Sequence, residues 1–204
     1  MTDDQIAILR IELCDIEPLI WRRVAVHTSA SLLALHKIIQ ASMGWLDYHL
    51  WEFTLNDTTY GKPSREGAAW GHVVKPASAT TLAKLLASSV QAFDYVYDMG
   101  DSWEHKIFIE RVEPAQSGKL YPVFLGGERR CPPEDCGGLP GYYDFLEVIS
   151  GPDKGKGSQK KKEALEWYGR PYDPDDIEEE QIQIALKRIA KAARPKRPKA
   201  GPPN

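Results

Sequence analysis

Apolar and polar residues alternate along several short runs of the chain, and this alternation predicts β-strands. The runs are residues 5–13, 19–26, 49–55, 94–98 and 103–112. A short segment with Asp and Pro separates the first two runs, and Met99-Gly100-Asp101-Ser102 separates the last two. Each of these pairs therefore predicts an antiparallel hairpin.

Helical spacing of apolar residues replaces the alternation elsewhere in the chain. The first predicted helix begins at Ser29 or Ser31, either of which can cap it, and ends before Gly44. Further helices are predicted over 82–87, 142–149, 160–168 and from Asp173 or Pro174 to about Ala193. Glycine, proline and serine predict loops over 61–79, 126–141 and 151–159.

Strands in hairpins mixed with helices predict an α+β fold. A chain of 204 residues fits one domain, and its 42% hydrophobic content is ordinary for a globular protein. We expect a single domain over residues 1–193, with a mixed or antiparallel sheet built from hairpins, helices packed on it and a helical C-terminal region.

The distribution of charge sets residues 194–204 apart from the rest of the chain. These residues hold four of the 26 Lys and Arg residues and no acid, so residues 1–193 carry 22 bases against 29 acids, a net charge of −7. We interpret 194–204 as a disordered tail rich in Pro and Lys. An acidic body makes nucleic acid an unexpected partner there, although the tail could contact phosphates weakly.

The predicted compartment is the cytoplasm. Cys14, Cys131 and Cys136 form an odd set that argues against a disulfide framework. The sequence contains no apolar run of the length that a membrane crossing needs and no secretory signal pattern at Met1. We therefore expect a soluble protein that does not partner a membrane.

Three segments combine aromatic, acidic and glycine residues in a distinctive order. They are Trp21-Arg22-Arg23-Val24 followed by Met43-Gly44-Trp45 with Asp47, His49 and Phe53; Tyr97-Asp98-Met99-Gly100-Asp101-Ser102-Trp103-Glu104-His105; and Gly127-Glu128-Arg129-Arg130-Cys131-Pro132-Pro133-Glu134-Asp135-Cys136-Gly137-Gly138 followed by Gly141-Tyr142 and Leu146. In this order and spacing the chain resembles the plasmid pRiA4b ORF-3-like family across roughly residues 5–190. The resemblance implies an α+β fold with a mixed sheet and packed helices, and an association with mobile elements, where the tail could contact nucleic acid weakly. It implies no established activity.

Some members of that family are labelled transposon resolvases, and the residues of this chain do not support the label. Serine recombination requires a nucleophilic serine among arginines that hold the scissile phosphate, together with a basic helix-turn-helix that reads DNA. Arg22 and Arg23 lie on a predicted strand with no serine beside them. We expect one of the two to form a buried ion pair with Asp98 or Asp101, the alternative being an anionic ligand.

His49 and His105 lie on the apolar faces of two predicted strands, where a buried imidazole needs a partner. In one interpretation each ring binds a nearby carboxylate or backbone carbonyl and fixes a turn. In another, His49, His105, Cys131 and Cys136 form a tetrahedral Cys2His2 site for zinc, in a zinc-binding protein or a metal-dependent hydrolase. Two prolines between the cysteines argue against this second set, so no cofactor is expected.

A third hypothesis is a site for a small molecule or a protein partner. Ligand clefts are mostly apolar with a few convergent polar groups, and segments 45–53, 97–105 and 127–138 offer that mixture if their strands are neighbours. The candidate ligand-binding residues are Trp45, Asp47, His49, Tyr97, Asp98, Asp101, Trp103, His105 and Glu134. The sequence gives Cys131 no dedicated base, so a binding module is favoured over an enzyme.

Overall fold

The computed structural model describes residues 4–64, 68–69, 71–152 and 154–193. The strands are β1 (Gln5–Leu13), β2 (Trp21–His27), β3 (Trp51–Leu55), β4 (Thr58–Gly61), β5 (Val74–Pro76), β6 (Ala92–Tyr97), β7 (Trp103–Pro114) and β8 (Val123–Glu128). The helices are α1 (Leu32–Met43), α2 (Leu82–Ala87), α3 (Gly138–Ile149), α4 (Lys156–Tyr168) and α5 (Glu179–Ala192), with a 3₁₀ turn over Ala77–Ala79.

The described strands form one eight-stranded sheet in the order β5-β4-β3-β6-β7-β1-β2-β8. Neighbouring strands are antiparallel throughout, apart from the parallel pair of β4 and β5. Both predicted hairpins, β1–β2 and β6–β7, are present. One mixed sheet with packed helices confirms the predicted single-domain α+β fold.

The two faces of the sheet differ as strand alternation requires. On β1, Ala7, Leu9 and Ile11 are fully buried in a core that also contains side chains of the helices. The opposite face carries ion pairs, such as the one between Arg23 and Glu110 at 2.8 Å. The helices therefore cover one face, and the other combines such ion pairs with a small apolar cluster of Ile6, Ile8, Ala25 and Tyr121.

Helix α1 begins and ends as its sequence predicts. The Ser31 side chain accepts a hydrogen bond from the N–H of Ala34 at 3.2 Å, so Ser31 rather than Ser29 is the cap. At the other end Gly44 adopts φ 90°, a left-handed conformation that glycine reaches at little cost, and its N–H bonds the Gln40 carbonyl. After this stop the chain folds back against the helix, because the N–H of Trp45 bonds the Gln40 carbonyl and the N–H of Asp47 bonds the Gln40 side chain, both at 3.1 Å.

Two predicted loops contain regular structure. The segment 61–79 includes β5 and the 3₁₀ turn, and the segment 126–141 includes the end of β8 and the start of α3. The pair Gly126-Gly127 suggested a loop, but glycine is needed at 127 because a Cβ there would lie 2.6 Å from the Trp21 carbonyl on β2. Close packing between strands, rather than a turn, explains that residue.

The C-terminal helices also begin at residues other than the predicted ones. Helix α4 begins at Lys156 within the predicted linker, and α5 begins at Glu179 rather than at Asp173 or Pro174. Asp173 and Asp176 instead accept hydrogen bonds from the N–H groups of Asp175 and Glu178, which stabilises turns that compete with helix.

The predicted tail, 194–204, lies outside the described residues. Of the helices in the described ranges, none has the length and hydrophobicity that a membrane crossing requires.

Candidate ligand-binding site

Three stretches that are far apart in sequence meet at one end of the sheet. Strand β3 begins beside the end of β6, where the N–H of Asp98 donates to the carbonyl of Leu50 at 2.9 Å. From the loop after β8, the carbonyl of Pro132 accepts a hydrogen bond from Nε1 of Trp45 at 3.0 Å. The structure thus brings the segments 45–53, 97–105 and 127–138 together.

Three carboxylates surround the imidazole of His49, and we call these four residues the His49 cluster. Nε2 of His49 lies 3.2 Å from Oδ1 of Asp135, 3.6 Å from Oδ2 of Asp98 and 3.9 Å from Oε2 of Glu134. This nitrogen is buried, yet it forms no hydrogen bond of standard geometry with any described residue. His49 precedes β3 instead of opening it, which frees its side chain to face the carboxylates.

Glu134 is held in place by two of the converging segments. Its Oε1 accepts a hydrogen bond from the N–H of Leu46 at 2.7 Å and another from the hydroxyl of Tyr97 at 3.1 Å. Burial raises the pKa of Glu134 above its ordinary value, and the neighbouring charge of Asp135 acts in the same direction. The two hydrogen bonds therefore fix the carboxylate of Glu134 at a position where burial destabilises its ionised form.

Asp98 organises the turn between β6 and β7. Its backbone is left-handed, with φ 56°, and its Oδ1 accepts hydrogen bonds from the N–H groups of Gly100 at 2.9 Å and Asp101 at 3.3 Å. Asp101 in turn accepts a hydrogen bond from the N–H of Gly137 at 3.1 Å. Asp101 is thus a residue that joins the turn to the 127–138 segment, and Oδ2 of Asp98 remains directed towards His49.

His105 and Trp103 lie in the core and not at a surface site. Each is only 1% exposed, and His105 packs against the rings of Trp45 and Tyr95 at 5.3 Å. Neither nitrogen of His105 has a hydrogen-bond partner of standard geometry among the described residues. Burial lowers the pKa of His105 to about 4, so the ring is neutral at physiological pH.

The predicted Cys2His2 set is not assembled. Among the described residues, the group of His, Cys, Asp or Glu whose ligand atoms lie within 4.8 Å of one another is His49, Asp98 and Asp135. His105 points into the core, while burial raises the pKa of Cys131 strongly and that of Cys136 to about 12. Both thiols are therefore protonated near neutral pH, which disfavours their use as zinc ligands.

A buried polar network at His36 escaped the sequence analysis. Nε2 of His36 lies 2.8 Å from Oδ1 of Asp47, and Nδ1 lies 2.9 Å from the hydroxyl of Tyr95. Burial lowers the pKa of His36, although Asp47 opposes this effect. A neutral ring must then donate from Nε2 to Asp47 and accept the Tyr95 hydroxyl proton at Nδ1. The sequence signal for this network was the presence of two polar residues, His36 and Gln40, at buried positions of α1.

A cleft of about 860 Å³ opens beside this network. Polar side chains of His36, Asp47, His49, Glu52 and His72 line it. Its remaining lining comes from Leu33, Leu50, Trp51, Gly61, Lys62, Pro63, Ser64, Val74, Pro76, Ala77, Ser78 and Met99. The described residues of the predicted loop 61–79 thus form one wall, and β3 forms another. The rings of Trp51 and His36 are stacked, with 3.9 Å between their centroids, and this stacking holds both side chains in place in the cleft lining.

Exposed apolar side chains surround the His49 cluster. Leu46, Tyr48 and Leu50 are 59%, 70% and 71% exposed, and Met99 is 45% exposed. Leu50 and Met99 also line the cleft. Large apolar residues are usually exposed singly, so their grouping in two adjoining turns favours contact with a ligand.

The nine candidate residues therefore fall into four groups, and His49 belongs to two of them. Asp47 and His49 line the cleft, and His49 joins Asp98 and Glu134 in the cluster. Asp101 fixes a turn. The aromatic candidates Trp45, Tyr97 and Trp103 are at most 6% exposed and, with His105, belong to the core behind the site.

The two strand arginines have structural roles that differ from the predicted ones. Arg22 is fully buried and donates to the carbonyls of Ser42 at 2.7 Å, Trp21 at 2.8 Å and Glu128 at 2.9 Å. Burial lowers its pKa to about 10. Arg23 pairs with Glu110 on the polar face, so neither arginine meets the acidic turn.

Fold and site together define an α+β protein with a cleft lined by histidines and carboxylates at one end of a mixed sheet. The family model of the plasmid pRiA4b ORF-3-like protein matches residues 5–181. The chain belongs to this family.

Two relatives extend the comparison. The chain is 37% identical over 184 residues to the uncharacterized protein y4hQ of Sinorhizobium fredii, covering 89% of this chain and 91% of the relative. It is similar to the crystal structure of the protein of unknown function MM3350 from Methanosarcina mazei Go1, with a TM-score of 0.75 and 30% identity over 87% of this chain and 97% of that one. These relatives assign no activity to the family.

Proposed function

We propose that the protein is a non-catalytic binding module, and that its ligand is a small organic molecule with a primary amine and an apolar part. The observation that carries this proposal is the cleft of about 860 Å³ with its mixed lining. This volume lies within the range of small-molecule sites, roughly 300–1,000 Å³.

The charge around the cleft favours a cationic ligand. Asp47 and Glu52 line it, and the carboxylates of the His49 cluster adjoin it, whereas Lys62 is its one lysine or arginine among the described lining residues. Trp51 adds an aromatic surface beside these carboxylates. An ammonium group gains from both features, because it pairs with carboxylates and is attracted to aromatic rings.

Binding is favoured over covalent catalysis because the nucleophilic side chains near the site are held in their protonated forms. Burial raises the pKa of Cys131, Cys136 and Tyr97. A thiol or phenol that stays protonated is a weak nucleophile.

The test is a titration with amines and with matched molecules that lack the positive charge. Phenethylamine, tyramine, phenylalaninamide and spermidine form the amine set, and 2-phenylethanol and phenylacetate are the controls. Isothermal titration calorimetry should show saturable binding for at least one amine and at least tenfold weaker binding of its uncharged counterpart. Equal binding of the alcohol, or no binding in the amine set, would overturn the proposal.

Variants should then place the amine in the cleft. Glu52→Gln removes one lining carboxylate and should weaken amine binding, while Asp94→Asn on the polar face of the sheet is the matched control.

We further propose the cytoplasm as the compartment, which is supported by the absence of disulfides among Cys14, Cys131 and Cys136.

A further inference from the structure

The geometry of the His49 cluster points to a binding site for one divalent transition-metal ion, with His49, Asp98 and Asp135 as its ligands. We propose this site beside the amine cleft: His49 borders both, whereas Asp98 and Asp135 do not line the cleft. It also differs from the Cys2His2 set that the sequence suggested.

The spacing of the three ligand atoms is compatible with one shared metal ion. Nε2 of His49 lies 3.2 Å from Asp135 and 3.6 Å from Asp98, and all three ligand atoms lie within 4.8 Å of one another. Bonds of about 2.0–2.2 Å from one zinc-like ion place neighbouring ligand atoms roughly 3.0–3.6 Å apart. The observed spacing leaves room for the ion between them.

The direction of the imidazole supports the same arrangement. Nε2 is buried and close to three carboxylates, yet it forms a hydrogen bond of standard geometry with none of the described ones. A neutral imidazole in direct contact with carboxylates normally aims its N–H at one of them. Nε2 lies instead among several oxygens, as a metal-binding nitrogen would.

Asp98 supplies an independent sign of a ligand. Its side chain is only 10% exposed, and its Oδ1 is used by the turn through Gly100 and Asp101. Its Oδ2 faces the site and lies 3.6 Å from Nε2 of His49, beyond a standard hydrogen bond. The turn therefore holds Asp98 with its second oxygen directed at His49, where a cation would balance the charge of the carboxylate.

No lysine or arginine of the described part of the chain forms an ion pair with Asp98, Glu134 or Asp135. Three carboxylates therefore meet around one histidine without a basic side chain to offset their charge. Glu134 does not complete the ligand set, but its position, fixed by Leu46 and Tyr97, adds negative charge behind the site. One imidazole and two carboxylates suit Mn²⁺ or Zn²⁺.

Calorimetric titration of tag-free, chelator-treated full-length protein with Mn²⁺ and Zn²⁺ tests the site. We expect one ion per chain, and Asp135→Asn should weaken its binding at least tenfold. Asp135 has 66% of its side chain exposed, so this variant should fold normally by circular dichroism. Asp144→Asn, at an exposed position of α3, is the matched control and should bind as the natural protein does.

A second measurement locates the ion. Mn²⁺ at one equivalent should broaden the ring-proton NMR signals of His49 selectively, while those of His27 stay sharp. Absence of binding, equal binding by Asp135→Asn, or broadening centred on His27 would overturn the proposal. Glu52→Gln distinguishes the two sites. This variant should lose amine binding and keep metal binding, because Glu52 is not a ligand of the metal ion.

Discussion

Nε1 of Trp45 donates a hydrogen bond to the carbonyl of Pro132 at 3.0 Å, across 87 positions of the chain. The contact joins the segment after α1 to the loop after β8, and Trp45 is only 6% exposed there. The site therefore depends on one buried indole that no local pattern could pair with its acceptor.

Replacing this indole should destabilise the protein. Trp45→Phe leaves the Pro132 carbonyl without its donor and removes part of a large buried ring, so we expect a loss of about 2–4 kcal/mol in the free energy of unfolding. Urea denaturation measures it. Trp167→Phe is the control, since Trp167 is 54% exposed, and equal losses for the two variants would contradict the assigned role of Trp45.

The buried guanidinium of Arg22 should matter far more than that of its neighbour. Arg22→Leu removes the donor to three carbonyls, and we expect a loss of roughly 3 kcal/mol from groups left unsatisfied in the interior. Arg23→Leu breaks the part-exposed pair with Glu110 and a contact with the Trp21 ring, and should cost about 1 kcal/mol. Thermal and urea unfolding of both variants check the difference. A larger effect at Arg23 would contradict the burial argument.

Gly138 should tolerate no side chain, for a reason that goes beyond backbone conformation. Its φ is +66°, and a Cβ would lie 2.7 Å from the carbonyl oxygen of Asp101. Gly138→Ala should therefore cost more than Gly169→Ala, where φ is +86° but nothing lies within 4 Å of the added atom. We expect about 1 kcal/mol for strain in each and roughly 1–2 kcal/mol more for Gly138. Similar losses would show that the turn moves freely.

The buried neutral state of His105 predicts a pH dependence of stability. Its pKa falls to about 4 in the folded protein, against about 6.5 in the unfolded chain. The unfolded chain therefore binds the proton more strongly, and the free energy of unfolding should fall by about 3 kcal/mol as the pH drops from 7 to 4. The lowered pKa of His36 acts with the same sign, and the raised pKa of Glu134 acts against it.

Comparison of His105→Phe with the natural protein isolates this contribution. Urea unfolding at several pH values between 4 and 7 should give a shallower dependence for the variant. Trp167→Phe, at a residue 54% exposed that carries no titratable group, should retain the original slope. An unchanged slope in His105→Phe would refute the assignment.

Much of the framework was predictable because its signals are local. The bounds of β1 match the predicted 5–13, and the caps at Ser31 and Gly44 place α1 within a residue or two. The family resemblance was equally visible, since its motifs are short and ordered. Strand β8 was not predicted because its glycines suggested a loop. Glycine is required at position 127 by close packing against β2, and the residues next to Gly127 in sequence do not reveal that contact.

The site was predictable only in part, since side-chain direction depends on tertiary packing. His49 and His105 looked equivalent in sequence, yet one faces carboxylates beyond the end of β3 and the other lies in the aromatic core. His36 and Glu52 were overlooked because a polar residue on a helix or strand does not reveal that a cleft lies beside it. The convergence of three segments was a sound expectation, while the cleft itself required coordinates.

The most direct test of the account is NMR of the histidine and tryptophan rings during a titration with the amines named above. If the ligand occupies the cleft, signals of His36, His49, His72 and Trp51 should shift with one common dissociation constant. Signals of His27, His105 and Trp167 should remain in place. Shifts confined to the second group, or none at saturation, would contradict the claim that the cleft beside the His49 cluster is a binding site.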